Sequence, residues 1–228
     1  MKVVVIGCMG RMGKKVCELL ESDSKFDQFV GIDSDEQGNV KNCFYNQKTD
    51  EFDLFCKADV VIDFSTCSNR KQYFEQAKKN KIPYALFSTN LSEQDKEGLT
   101  ELSKIVPVLK CSNSSIGIKA IKHAVENICS DLPECDVVIN EYHHKSKKDS
   151  PSGTANLIAS WIKKFHKFNL QINSNRVGNE VGMHKIEFFL EDEMIEISHS
   201  AKSRTIFARG AIELSKRLIL RPVGLYEE

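Results

Sequence analysis

The sequence predicts an α/β chain of two parts: a doubly wound parallel sheet over residues 1–114 and a smaller α+β part over 115–204, with a last helix, 205–228, returning to the first part. Three observations carry this reading. A glycine-rich turn lies between a β-branched run and a helical stretch. Short apolar runs then alternate with helical ones as far as residue 110, and beyond Asn113 that alternation gives way to a different order of elements. Alternating strands and helices favour a parallel sheet covered on both faces.

In chain order, Val3-Val4-Val5-Ile6 reads as a buried parallel strand, followed at once by Gly7-Cys8-Met9-Gly10-Arg11-Met12-Gly13 and a helix to about residue 21. Gly7, Gly10 and Gly13 form G-x-x-G-x-x-G, a variant of the dinucleotide fingerprint, in which bare backbone lets a pyrophosphate approach amides at a helix N-terminus. A second strand, 29–32, ends at Asp33, where a carboxylate is placed to accept a hydrogen bond from a ribose hydroxyl. Residues 1–114 therefore read as a Rossmann-like dinucleotide-binding domain for NADH or NADPH. Strands at 59–64, 83–87 and 106–110 and helices at 69–79 and 92–104 continue the pattern. Ligands of such sheets meet the carboxyl ends of strands, which nominates the loops Asp63-Phe64-Ser65, Phe87-Ser88-Thr89 and Cys111-Ser112-Asn113-Ser114 for the cofactor side.

The second part begins with a helix over 116–129 and a strand through Val137-Val138-Ile139, then a helix from 153 to about 167. Two alternating runs, 186–190 and 194–200, read as an antiparallel hairpin about Glu191-Asp192-Glu193. In the last helix Ile206, Ala208, Ala211, Ile212, Ser215 and Ile219 recur at helical spacing, a face suited to packing on the first domain.

Composition limits the function. Of the 228 residues 41% are hydrophobic and 28% charged, and the formal net charge is zero. No overall field draws the chain to nucleic acid or to an anionic membrane. Eight cysteines, at 8, 17, 43, 56, 67, 111, 129 and 135, show neither a C-x-x-C pair nor ligand-like spacing to histidine, so they read as free thiols in a reducing compartment, with no metal site. The N-terminal apolar run is too short for a signal peptide, and no stretch approaches the ~20 apolar residues of a membrane span. A cytoplasmic protein without membrane or nucleic-acid partners is expected.

One stretch concentrates proton donors. Glu141 to Ala155, EYHHKSKKDSPSGTA, follows the apolar run 137–139 with two adjacent histidines, three lysines, an aspartate and a Pro-Ser-Gly-Thr turn. Taken alone it reads equally as a solvated loop or as a site. The pattern E-x-H-H-x-x-K-x-D-x-P-S-G-T-A, combined with the N-terminal G-x-x-G-R-M-G, resembles the dihydrodipicolinate reductase family. Val61 to Ser65, Asn113 to Gly117, Arg176 to His184 and His199 to Ala211 are similar to that family as well, so the likeness spans essentially the whole chain.

That resemblance implies an NAD(P)H-dependent reductase that passes hydride to C4 of a small cyclic dicarboxylate, 4-hydroxy-tetrahydrodipicolinate, in lysine and diaminopimelate biosynthesis, acting as a homotetramer. It makes 115–204 the substrate-binding and oligomerisation domain. His143 and Lys147 match the family's catalytic pair, since charge arriving at the ring must be quenched by a proton. His144 and the turn Ser152-Gly153-Thr154 are expected to hold carboxylate, with Ser152 as N-cap and the following amides directed at an anion. Asp149 is expected to order the loop, and Lys145 and Lys148 to be solvated. The cofactor side comprises Gly7, Cys8, Met9, Gly10, Arg11, Met12, Asp33, Phe87, Ser88, Thr89, Cys111, Ser112, Asn113 and Ser114.

The chain departs from the family in two places. Phe87-Ser88-Thr89 stands where members read Gly-Thr-Thr, and Asn113-Ser114-Ser115 where they read Asn-Phe-Ser. The first puts a bulky ring beside the nicotinamide, and the second removes an aromatic contact. Two other readings share the glycine turn: another two-domain Rossmann dehydrogenase, and a nucleotide-binding pseudoenzyme or sensor.

Overall fold

The computed structural model describes residues 1–23, 28–33, 43–45, 55–66, 70–88 and 91–227, with backbone alone at 28 and 43–45. The chain divides into two compact units, Met1–Ser114 with Phe207–Glu228, and Ser115–Ile206. The differences from the sequence-expected elements fall on short or polar strands and on two helix ends, the last helix stopping at Leu218 instead of running to 228.

The first unit is built on seven parallel strands: β1 (Lys2–Ile6), β2 (Gln28–Asp33), β3 (Cys43–Tyr45), β4 (Val60–Asp63), β5 (Tyr84–Leu86), β6 (Pro107–Lys110) and β11 (Gly224–Glu227). Their order is β11-β6-β5-β4-β1-β2-β3. Side chains on a strand alternate between faces. Val3 and Val5 therefore join one core with α1 (Arg11–Ser22) and α6 (Thr205–Leu218), while Val4 and Ile6 join the other with α2 (Arg70–Asn80) and α3 (Glu93–Leu102). All four are essentially inaccessible, and burying each such side chain contributes about 1.5–3 kcal/mol. An apolar run without polar alternation is thus what a strand covered on both faces requires.

A buried ion cluster fixes the carboxyl end of this sheet. Asp63, the last residue of β4 and 0% exposed, accepts from the Ser65 amide at 2.7 Å and from the Tyr84 hydroxyl at 2.6 Å. Arg70 donates to the Ser65 carbonyl at 2.7 Å, lies 2.7 Å from Asp95 and brings Nε to 3.4 Å from Asp63. That last approach is an ion pair without hydrogen-bond geometry, since Arg70 Nε has no hydrogen-bond partner. Burial pushes the Asp63 carboxyl up, against these donors. Asp95 also closes the capping box of α3 with Ser92, so one arginine joins the β4 loop to a helix start.

Helix α6 seats through a small residue. A methyl built on Gly210 would lie 1.6 Å from the Ser114 carbonyl oxygen, and the Ser114 hydroxyl donates to the Phe207 carbonyl at 2.7 Å. Ala208, Ala211, Ile212, Leu214 and Leu218 enter the core shared with α1. The chain then adds β11, which pairs in parallel with β6.

The second unit is a four-stranded mixed sheet, order β10-β9-β7-β8, from β7 (Cys135–His143), β8 (Phe168–Arg176), β9 (Met183–Phe189) and β10 (Met194–Ser200). β7 and β8 are parallel, and β9 and β10 are antiparallel to their neighbours. Helices α4 (Ile116–Asp131) and α5 (Gly153–Lys163) close one face with Val125, Ile158 and Ile162 on Val137, Ile139, Ile186 and Phe188. α5 stops at Lys163 instead of near residue 167, because residues 164–167 make the turn into β8, with His166 at φ +55°.

Cys17, Cys56, Cys111, Cys129 and Cys135 are free thiols. Cys8 is disulfide-bonded, so the expectation of eight free thiols fails at that residue. Among the described residues no helix is long and apolar enough to cross a membrane.

The Gly210 contact is directly testable. Gly210→Ala should lower the thermal unfolding midpoint, since overpacking a tight contact costs about 1–3 kcal/mol. Gly153→Ala, whose added methyl meets nothing within 4 Å, should not. Equal midpoints for the two variants would show that α6 does not depend on the close approach.

Candidate active site

In the first unit the glycine turn forms a cradle at the start of α1. Gly7 has φ +77° and a methyl there would meet the Ser65 amide nitrogen at 2.9 Å, while one on Gly13 would lie 2.0 Å from the Gly7 carbonyl. Both positions demand glycine, by conformation or by space. Gly10 caps α1 without a side-chain hydrogen bond, and the first turn holds no acidic residue. A helix start of this kind keeps amides for an anion. Cys8 and Met9 are buried and Arg11 is exposed.

Asp33 Oδ2 accepts from the Met9 amide at 2.7 Å, which brings the carboxylate expected at the ribose against the glycine turn. Phe87 is buried and stacks on Phe64, centroids 5.0 Å apart. The Ser88 hydroxyl donates to the Ser65 carbonyl. Cys111 is buried, Ser112 exposed and Asn113 half-buried, whereas Ser114 is spent on holding α6. Thr89 lies outside the described residues. The cradle fits a dinucleotide.

In the second unit the expected site is centred on a strand end rather than on a loop. Glu141 and His143 are two apart on β7, so their side chains share a face. The Glu141 carboxylate is 0% exposed. Its Oε2 pairs with His143 Nδ1, and its Oε1 accepts from Arg176 Nη2 at 2.8 Å and from the Ser152 amide at 3.2 Å. Burial opposes ionisation of Glu141, yet the Arg176 and His143 donors hold its carboxyl below the usual value. Burial likewise lowers the His143 pKa; Glu141 works to raise it, and Lys147 and Arg176 to lower it.

The sheet register extends this row. Glu141 faces His184 across β9, and His184 faces His199 across β10. The His143 and His184 rings meet edge to face at 5.2 Å. Two helix starts meet the row through their N-cap serines: Ser152 Oγ lies 3.2 Å from His184 Nε2, and Ser115 Oγ 3.4 Å from His199 Nε2. Burial depresses His184 to about 4, so its ring stays neutral.

Lys147 Nζ is bound by both Asp149 oxygens, at 2.8 and 2.9 Å. The Asp149 carboxyl is lowered by Lys147 and also by the Gly153 amide, which ties the lysine to the first turn of α5. Gly153 has no atom within 4 Å of where a Cβ would stand. His144 Nδ1 lies 2.8 Å from Ser146 Oγ, and Arg204 reaches its Nε2 at 3.3 Å. Lys145 is exposed, Lys148 is exposed, and neither enters the network described.

Five participants were not among the expected site residues: Glu141, Arg176, His184, His199 and Arg204. They lie in three of the family-like stretches, and it is the sheet register, with the loops after β7 and β10, that brings them together. Ligand atoms of Glu141, His143 and His184 fall within 4.8 Å of one another. Because Arg176, His143 and the Ser152 amide already satisfy that carboxylate, the three side chains read as a hydrogen-bonded set rather than as metal ligands.

Residues 1–114 match the family profile described as dihydrodipicolinate reductase, N-terminus, and 117–227 that described as dihydrodipicolinate reductase, C-terminus. The 4-hydroxy-tetrahydrodipicolinate reductase of Caldanaerobacter subterraneus subsp. tengcongensis is 35% identical over 99% of this chain and 95% of its own length. That of Clostridium novyi is 34% identical over the same shares. Among solved structures, a dipicolinate-bound dihydrodipicolinate reductase from Paenisporosarcina sp. TG-14 superposes with TM-score 0.83 at 18% identity, covering 100% of this chain and 97% of that one.

The depressed His184 has a consequence for stability. The folded ring resists protonation down to about 4, whereas an unfolded histidine takes a proton near 6.5. The unfolded state thus binds the extra proton between those values, and stability falls as pH drops through that window, by at most about 1.4 kcal/mol per pH unit. Denaturant unfolding of His184→Gln should show a shallower acid decline than wild type. An unchanged slope would place the titrating group elsewhere.

Proposed function

This chain belongs to the dihydrodipicolinate reductase family, and from that premise we propose how its two units share the reaction. It is an NAD(P)H-dependent oxidoreductase that reduces 4-hydroxy-tetrahydrodipicolinate to tetrahydrodipicolinate in lysine and diaminopimelate biosynthesis. The observation that carries our assignment of roles is the network in which His143, Lys147 and the first turn of α5 are held together through Glu141, Ser152 and Asp149.

The reduced nicotinamide, when bound, supplies a hydride; the chain supplies the rest. Gly7, Cys8, Met9, Gly10, Arg11 and Met12 surround the pyrophosphate at the start of α1. Asp33 accepts from the ribose hydroxyl, a preference for NADH, while NADPH is the alternative coenzyme. Phe87, Ser88, Cys111, Ser112 and Asn113 border the nicotinamide side, with Ser114 contributing backbone alone.

His144, Ser152, Gly153 and Thr154 hold the substrate carboxylates, each well-made charge-assisted hydrogen bond contributing about 1.5–3 kcal/mol. His143 donates the proton from Nε2 as an imidazolium, because Nδ1 is committed to Glu141. Lys147 polarises the ring beside it. We place this enzyme in the cytoplasm, where a biosynthetic reductase meets its small soluble substrate and coenzyme, and propose a homotetramer as its working form.

Oxidation of NADH or NADPH should appear only when aspartate semialdehyde, pyruvate and the preceding synthase supply substrate. No oxidation by the wild-type chain under those conditions would refute the reading. His143→Ala and Lys147→Ala should each lower kcat by about 10²–10⁴-fold with cofactor binding retained. The double variant should lose much less than the product of the two, as groups serving one transfer do. Near-normal turnover in both single variants would remove the pair from the chemistry.

A further inference from the structure

A proton donor buried beside two cations has a difficulty. Lys147 and Arg176 both disfavour a positive charge on His143, and burial disfavours it further. Of the charged or titratable groups facing this ring, from β7, the following loop, β8 and β9, one works in the opposite sense: Glu141. Asp149 is engaged by Lys147, and His184 is neutral.

The geometry matches that role. Glu141 meets Nδ1, while Nε2 faces Gly182, where an added methyl would lie 3.0 Å from that nitrogen. The other carboxylate oxygen is held by Arg176 and the Ser152 amide, so the group cannot swing away. We infer that Glu141 is the positioning residue of this reductase: its carboxylate fixes the His143 ring through Nδ1, turns Nε2 toward substrate and keeps the proton on the imidazole until hydride has arrived. The inference rests on the proton-donor role proposed above for His143. In balance, the 4-hydroxyl first leaves as water with a proton from the neighbouring ring carbon, giving dihydrodipicolinate; hydride then adds at C4, the Nε2–H bond breaks, the proton passes to that neighbouring carbon, and the imidazole is left neutral with its Nδ1–H still on Glu141.

Glu141→Gln keeps the volume and removes the charge. In histidine-labelled protein, with the His143 signal identified by its loss in His143→Asn, the imidazole midpoint should fall by about 1–3 pH units. The kcat profile should follow it. Activity needs the imidazolium and is lost as pH rises through its pKa, so the loss should move to lower pH, with recovery on acidification. Arg176→Gln, which removes an opposing cation, should move the midpoint upward, and Glu141→Asp should return it toward wild type. A midpoint that stays put in either folded variant would overturn the inference. Because the titration needs no turnover, it decides this point even if the proposed activity fails its own test.

Discussion

A carboxylate taken out of water must be supplied with donors, or it will not stay ionised. Glu141 is such a group, and most of what surrounds it in the second unit can be read as the means of supplying it. Arg176 comes from β8, the Ser152 amide from the start of α5, and His143 from its own strand. Three separate stretches are thereby drawn to one point. The imidazole proposed as proton donor, the arginine and the start of α5 hold fixed positions because each satisfies the same buried charge.

The first unit meets a similar need in a similar way. Asp63, at the end of β4, is also fully enclosed, also accepts from a serine amide, Ser65, and also pairs with an arginine, Arg70. Its donors tie the loop after β4 to β5 and to the start of α3. Both units thus place a buried carboxylate near a strand end where a loop proposed to face ligand begins. Such an arrangement contributes little net stability, since desolvation offsets the pairing. It does set loop geometry, which a site requires to about half an ångström.

Much of this was legible in the sequence, for physical reasons. Val3 to Ile6 announced a doubly covered strand, and Gly7, Gly10 and Gly13 announced the cradle, because apolar runs and glycines report local constraints. β8 was missed: Asn169, Gln171, Asn173 and Asn175 alternate along it and disguise a strand whose pairing depends on β7. β11 escaped notice because it is four residues long and pairs with a partner more than a hundred residues earlier. The roles of Arg70, Arg176 and His184 are equally non-local. Motif spacing marked His143 and Lys147, but nothing in it could place Arg176 on Glu141 or show Lys147 engaged by Asp149. The Cys8 disulfide was likewise hidden, since thiol pairing depends on the fold.

The arrangement has a purpose only if hydride and proton reach the same substrate ring. Isotope transfer tests that most directly: coenzyme deuterated at its transferring position is supplied with freshly generated 4-hydroxy-tetrahydrodipicolinate, and the product is weighed by mass spectrometry. The account predicts tetrahydrodipicolinate carrying one deuterium, located at C4. Coenzyme consumed without deuterium in that product would contradict it.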